Sequence, residues 1–196
     1  MTIRTLLLIR HGHYRNIHPT GHEPDGHLTE RGQEQASLVA ERLHDYQLRA
    51  IFHSNTIRTR ETAAPLIAKH PKALIKEVPL LREAWAGMPD EPLLPDAIRA
   101  QLAAHPKQLA DGLQRAKKII ERFFVPINHD CTDVLVIHGN LISALVTQVV
   151  RAPWGAWLNA ETRHAAISEI EIHPNGMKKL ISHGDVGHLP RALYSF

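Results

Sequence analysis

Cysteine is nearly absent from this chain: Cys131 is the only one among 196 residues. An intrachain disulfide is therefore excluded, and none of the Cys-based zinc patterns fits. A reducing, cytoplasmic setting is the expectation. Long hydrophobic runs are also missing. The apolar run Leu6-Leu7-Leu8-Ile9 ends at Arg10, which is too short for a signal peptide or a membrane span, so no membrane partner is expected. A strong charge of one sign is lacking too, since 23 Lys and Arg stand against 20 Asp and Glu, a net +3. The basic residues are interleaved with acids, as on a solvated surface, so nucleic acid is not an expected partner. The small basic excess favours anionic ligands. No internal repeat and no low-complexity segment interrupts the chain.

With 43% hydrophobic and 22% charged residues the chain is a globular one. Its length suits one domain spanning 1–196, and is short for two. Histidine is abundant, at fifteen residues. Most are expected to be exposed side chains, leaving two or three for chemistry.

The strand pattern is regular. Strands are predicted at Thr5 to Ile9, Arg49 to His53, Ala73 to Val78 and Asp133 to Ile137, the first and the last as buried apolar runs. Helices are expected from Thr29, as N-cap, to Asp45, from Thr56, from Asp96, as cap, to Ala104, from Pro106 to Phe124 and from Leu141 to Val150. Pro65 is expected to kink or end the second of these. The Pro106 helix presents Leu109, Leu113, Ala116, Ile120 and Phe123 on one face. Residues 11–28 hold Gly12, Pro19, Gly21, Pro24 and Gly26 and read as a loop. Pro174-Asn175-Gly176 turns a final hairpin, Ala166 to His173 and Met177 to Ser182. The fold class is α/β: three layers, α/β/α, with a mostly parallel central sheet and the hairpin adding an antiparallel edge strand. Residues 79–105 form a loop-rich cap over the site.

Two strands end alike. Leu-Leu-Leu-Ile leads into Arg10-His11-Gly12, and Val-Leu-Val-Ile leads into His138-Gly139. The second strand delivers His53-Ser54, with Arg58 and Arg60 a helical turn later, and Leu81-Arg82-Glu83 places a carboxylate after the third. In an open α/β sheet, such strand ends face the crevice where ligands bind.

In these residues the chain resembles the histidine phosphatase superfamily, the family of cofactor-dependent phosphoglycerate mutase. Its Arg-His-Gly signature is matched by Arg10-His11-Gly12, and its Leu-Thr-x-x-Gly-x-x-Gln-Ala element by Leu28 to Ala36. Ser54, Arg58, Thr62 and Ala63 match the Ser-x-x-x-Arg-x-x-x-Thr-Ala element, Leu81-Arg82-Glu83 the Leu-x-Glu element, and His138-Gly139 the second His-Gly. The resemblance implies a phosphohistidine intermediate on His11, with Arg10 and Arg58 clamping the phosphoryl oxygens and His138 as a further donor. Glu83 would protonate the leaving oxygen and then activate water. The chemistry agrees with this assignment. Imidazole is nucleophilic at neutral pH because its pKa lies near 6.5, and a planar guanidinium contacts phosphate through two N–H groups. No metal and no cofactor are implied.

Gly139, His13 and Asn16 complete the candidate substrate contacts. The family commonly has Glu-Thr or Gln-Thr after Arg-His-Gly and an Asn seven places after the Arg; here His13-Tyr14 follow, and Asn16 comes one place early. Arg15 and Arg60 read as surface or rim charges. A metal site at His11, His13, His18, His22 and His27 is not expected without ordered secondary structure or a Cys among them.

The mutases carry a sizeable insertion after the Glu element, for which there is little room between Glu83 and Pro106. A phosphatase is therefore expected. A mutase-type phosphoryl transferase and a phospho-ligand-binding module without turnover are the alternatives. A closer resemblance is to the mitochondrial protein Ser/Thr phosphatase branch, through Leu80 to Glu83, Pro153 to Leu158, His173 to Gly176 and Gly184 to Pro190. That branch has a membrane anchor and an activating segment, not seen in this sequence. A soluble cytoplasmic relative, a homodimer or a monomer, acting on a phosphorylated small molecule or a phosphoprotein is the expectation.

Overall fold

The computed structural model describes residues 2–17, 25–89, 92 and 94–196. The readings that involve His18, Pro19, Gly21, His22 and Pro24 lie outside them. Six strands form one sheet: β1 (Arg4–Arg10), β2 (Leu48–His53), β3 (Leu74–Glu77), β4 (Cys131–Ile137), β5 (Ile167–Ile172) and β6 (Lys178–Asp185). Their order is β3-β2-β4-β1-β5-β6. The first four strands in that order run parallel, β5 is antiparallel to β1, and β6 is antiparallel to β5. The C-terminal hairpin thus contributes both of its strands, with β6 outermost.

Apolar residues fill both faces of the central strands. Leu6 and Leu8 of β1 join one core, and Leu7 and Ile9 join the other. The first core packs α4 (Pro106–Phe123) and α5 (Gly139–Val149) through Ala116, Ile119, Phe123, Leu141 and Leu145. The second packs α1 (Glu30–Arg42) and α2 (Ile57–Lys69) through Val39, Ala40, Ala63 and Leu66. A continuous apolar run therefore serves two layers of helices, which is the three-layer arrangement.

Local differences from the sequence reading have simple causes. Pro65 neither ends α2 nor stops it short, because the helix runs on to Lys69. The packing of Ala63 and Leu66 around it outweighs the one lost backbone bond. Asp96 is the first residue of α3 (Asp96–Ala103), with Pro95 at the cap position and no side-chain cap. Its negative charge in the first turn still suits the helix dipole. The buried face of α4 is rotated toward Gly112 and Ile119, leaving Leu113 and Ile120 half-buried. Gly112 causes this rotation. A Cβ there would lie 2.2 Å from the Trp85 carbonyl oxygen, so α4 sits against the Glu83–Trp85 backbone.

The parallel register positions the site. Arg10 of β1 pairs with Ile137 of β4, and His53 of β2 pairs with Val136. The three strands stop at one level. The His11 amide then donates to the Ile137 carbonyl at 2.9 Å, and the Ser54 amide to the Val136 carbonyl at 3.3 Å. The residues just beyond, His11, Ser54 and His138, meet by construction.

The opposite end of the same strands is held by charge. Asp133 is 0% exposed, and Arg4, at 5%, donates to its Oδ2 through Nε at 3.0 Å and Nη2 at 2.8 Å. Arg49 of β2 adds a bond from Nε to Oδ1 at 2.9 Å. One carboxylate thus ties β4 to both neighbours. Asp133→Ala leaves the Arg4 guanidinium buried without its counter-charge, and the expected loss of stability is about 3–5 kcal/mol. A urea unfolding midpoint within error of wild type would contradict this.

Candidate active site

His11 is buried where β1 ends. Its Nδ1 lies 2.9 Å from the Gly12 carbonyl oxygen. A carbonyl only accepts, so Nδ1 carries the proton and Nε2 keeps the lone pair. Burial first, then His138, Arg58 and His164, hold the pKa of His11 well below its ordinary value, against the Gly12 carbonyl. The ring is neutral, and its basic nitrogen is the one turned from its own backbone.

Arginines flank it. Arg10 Nη1 donates to the Thr162 carbonyl, and Nη2 to His164 Nε2 at 3.3 Å. The guanidinium crosses the start of α5 at Gly139, where a Cβ would lie 3.1 Å from Arg10 Nε. A side chain at Gly139 would require the Arg10 side chain to give by a few tenths of an ångström. Arg58, 2% exposed, projects from the first turn of α2. Its Nη2 donates to His138 Nδ1 at 3.0 Å, and its Nη1 to Asp25 Oδ1 at 3.2 Å. The Tyr14 ring covers its Cζ at 4.7 Å and meets His11 edge-on at 5.2 Å between centroids.

His138 is fully buried. A guanidinium cannot accept, so His138 Nδ1 is the acceptor, and the ring proton is on Nε2, 2.9 Å from Ser54 Oγ. Burial, followed by Arg58 and Arg10, pushes its pKa well down. The sequence reading made His138 a donor to phosphate. In this arrangement both ring nitrogens are engaged, and the residue orients Arg58.

Glu83 comes from the segment after the 3₁₀ turn Pro79–Leu81. Its Oε1 accepts from the Ala84 amide at 2.9 Å and from the Leu141 amide at 3.1 Å, in the first turn of α5. Burial nevertheless raises its pKa, with those amides and both arginines opposing. Arg115 of α4 donates to the Glu83 backbone carbonyl at 2.7 Å and fixes the segment from outside. A cavity of ≈ 170 Å³ opens beside Arg10 and Glu83, walled by Gly139, Trp157 and Leu158.

The structure therefore brings Arg10, His11, Arg58, Glu83, His138 and Gly139 to one place. His13 lies on the outer side of the cluster, its ring 5.5 Å from that of His164 and its Nδ1 2.8 Å from Thr29 Oγ1. Asn16 is exposed on the outgoing loop. His27 pairs with Glu61 at 2.6 Å, and Arg60 with Glu77 at 2.9 Å.

Two members carried no sequence signal of their own. Asp25 receives both Arg58 and the Ile57 amide, at 3.0 Å to Oδ2, and so caps α2 from a distance. In the sequence it is the middle of Pro24-Asp25-Gly26, which reads as a turn. His164 lies 5.3 Å from His11 between ring centroids, and burial and Arg10 lower its pKa to about 3. It sits in no motif.

The sequence profile of the histidine phosphatase superfamily (branch 1) matches residues 6–185. The chain belongs to that superfamily. It is 32% identical over 199 residues to the serine/threonine-protein phosphatase Pgam5, mitochondrial, of Drosophila willistoni, covering 95% of this chain and 64% of that one. It is 31% identical over 196 residues to the protein of the same name from Rattus norvegicus, with the same 95% and 64% covered. The chain thus spans somewhat less than two thirds of these relatives' length. An α-ribazole phosphatase structure from Shigella flexneri shares the fold at a TM-score of 0.73 and 21% identity, covering 92% of this chain and 96% of that one. The cytoplasmic expectation is overturned by the relatives' names, which point to mitochondria. A low cysteine count indicates a reducing compartment, and it does not distinguish one reducing compartment from another.

Proposed function

We propose that this chain hydrolyses phosphate monoesters by way of a phosphohistidine on His11. The observation that carries the reading is the neutral His11, its Nδ1 proton held by Gly12, its Nε2 lone pair outside that bond, and Arg58 near enough to help lower its pKa. Family membership supports it.

Arg10 and Arg58 hold the three phosphoryl oxygens, where charge spreads in the transition state. His11 Nε2 attacks phosphorus as the P–O bond breaks, and Glu83 delivers a proton to the departing oxygen. Water then attacks phosphorus on the opposite side of the N–P bond and gives its proton to Glu83. Orthophosphate leaves, and His11 recovers its lone pair. His138 keeps Arg58 aimed, and the first amides of α5 at Gly139 face the anion. His13 and Asn16 are rim contacts for the outer part of the substrate. In a single domain, the described part of segment 79–105 borders the site through Glu83. Water serves as acceptor because the short stretch from Glu83 to Pro106 has little room for a second substrate site. The substrate is a phosphorylated small molecule or a phosphoprotein, and the relatives' names support the latter.

The two shifted groups set the pH profile. His11 gains a proton only below its depressed pKa, so the acid limb falls below the ordinary imidazole range. Glu83 loses its proton above a raised pKa, so the rate falls as pH rises through that value. Glu83→Gln is expected to lower kcat/KM for an alkyl phosphate by about 10²–10⁴. The alkaline fall should vanish with it. p-Nitrophenyl phosphate, whose leaving group needs no proton, should be far less affected. Equal losses on both substrates would remove Glu83 as the acid. Release of inorganic phosphate from p-nitrophenyl phosphate tests the reading as a whole. A blank result across sugar phosphates, nucleotides and phosphopeptides, with phosphate binding seen by calorimetry, would replace it with a binding module.

A further inference from the structure

The segment between Asn159 and β5 forms one wall of the site and is rigidly built. The Ala160 carbonyl accepts from Ser143 Oγ at 2.6 Å and from His183 Nε2 at 2.9 Å. Thr162 and His164 both receive Arg10. The Ala165 amide donates back to the Arg10 carbonyl at 3.0 Å. Ala165 is fully buried with φ +58°, a left-handed conformation that a non-glycine residue keeps only when its surroundings impose it. Glu161 stands between these pinned neighbours.

Glu161 is exposed, acts electrostatically on Arg10, and lines the ≈ 170 Å³ cavity together with Glu83. That cavity adjoins the proposed proton donor, so it is where the leaving alcohol goes. Its apolar wall is Trp157 and Leu158, suited to a few methylenes. Among the described residues lining it, Arg10 is the one cation, and the phosphoryl group takes Arg10. A charge carried by the leaving alcohol therefore meets Glu161. A carboxylate there is repelled, and an ammonium is attracted.

We infer that Glu161 is a specificity-determining residue, and that the site takes phosphate monoesters whose leaving alcohol carries a cationic group in preference to those carrying a carboxylate. The inference rests on the phosphatase reading for its orientation of the substrate. The shared chemistry is an ammonium a few bonds from the ester oxygen, supplied by a small amino-alcohol phosphate or by a basic side chain beside a phosphoserine.

Two matched pairs test it: 2-aminoethyl phosphate against phosphoglycolate, and a Lys-flanked against a Glu-flanked phosphoserine peptide. Each is measured by kcat/KM and by calorimetric Kd. In at least one pair the cationic member should lead by about tenfold at low salt, and less at high salt, because Glu161 is exposed to screening. The pair with the larger preference names the source. Glu161→Gln should bring that ratio toward one, and Glu161→Lys should invert it, whatever happens to the absolute rates. Turnover without charge preference, or a preference that survives Glu161→Gln, overturns the assignment. A Kd preference that follows Glu161 with no turnover of any substrate upholds the charge assignment and overturns the phosphatase reading instead.

Discussion

His11→Ala is expected to lower kcat for p-nitrophenyl phosphate by on the order of 10⁴-fold or more, leaving the fold intact. The size follows from what is removed. With no nucleophile, the arginines can still bind and polarise the ester, but the reaction must proceed by direct attack of water. That attack would have to come from the space the imidazole leaves, with no group there to take the water's proton. The remaining rate measures what Arg10, Arg58 and Glu83 provide by binding and charge alone. Stability should change little in comparison, because the imidazole's protein hydrogen bond is to the adjacent Gly12 carbonyl. Imidazole added to the variant should restore part of the rate if it enters the vacated space. A variant within tenfold of wild type would show that His11 is not the nucleophile.

Arg58→Ala is the second large effect, an expected loss of about 10³-fold in kcat/KM, comparable to removing an arginine that stabilises a phosphoryl-transfer transition state. Arg58 is held from three sides, by Asp25, by His138 Nδ1 and by the face of Tyr14. That arrangement sets the guanidinium in advance, so little order has to be gained when the phosphoryl group arrives. Arg58→Lys should recover only a small part, because an ammonium lacks the planar fork and cannot serve His138, Asp25 and phosphate together. The substitution also leaves Asp25 and His138 without their shared donor, so thermal unfolding must accompany the kinetics. A loss of rate matched by loss of folded protein would speak only of structure. A folded Arg58→Ala variant with nearly full kcat/KM would remove Arg58 from the clamp.

The core of the site was readable in advance because it is local. An apolar run that stops at Arg10-His11-Gly12 and another that stops at His138-Gly139 need only parallel pairing to meet. The register Arg10 with Ile137 supplies that pairing. Glu83 was legible as a carboxylate after a strand. Its hold on the Leu141 amide was not, because that contact joins residues 58 positions apart. Asp25 and His164 escaped for the same reason. Each acts through partners distant in sequence; Asp25 sits in a stretch that reads as a turn, and His164 sits in no motif. The tautomers of His11 and His138 are likewise consequences of tertiary neighbours, and the contact of His138 with Arg58 is one the sequence does not show. Pro65 and the rotated face of α4 show packing overriding local rules, through Leu66 in one case and the Gly112–Trp85 contact in the other.

The most direct measurement is chemical trapping of the intermediate. Wild-type protein would be mixed with a ³²P-labelled phosphomonoester under single-turnover conditions, denatured in alkali and mapped by peptide. The expected product is one label on His11, attached at Nε2, because Nδ1 is committed to the Gly12 carbonyl; phosphorus NMR distinguishes the two ring positions. The label should be absent from His11→Ala and should disappear as free phosphate forms. Hydrolysis that proceeds without any label on His11, or a label on another residue, would contradict His11 as the nucleophile.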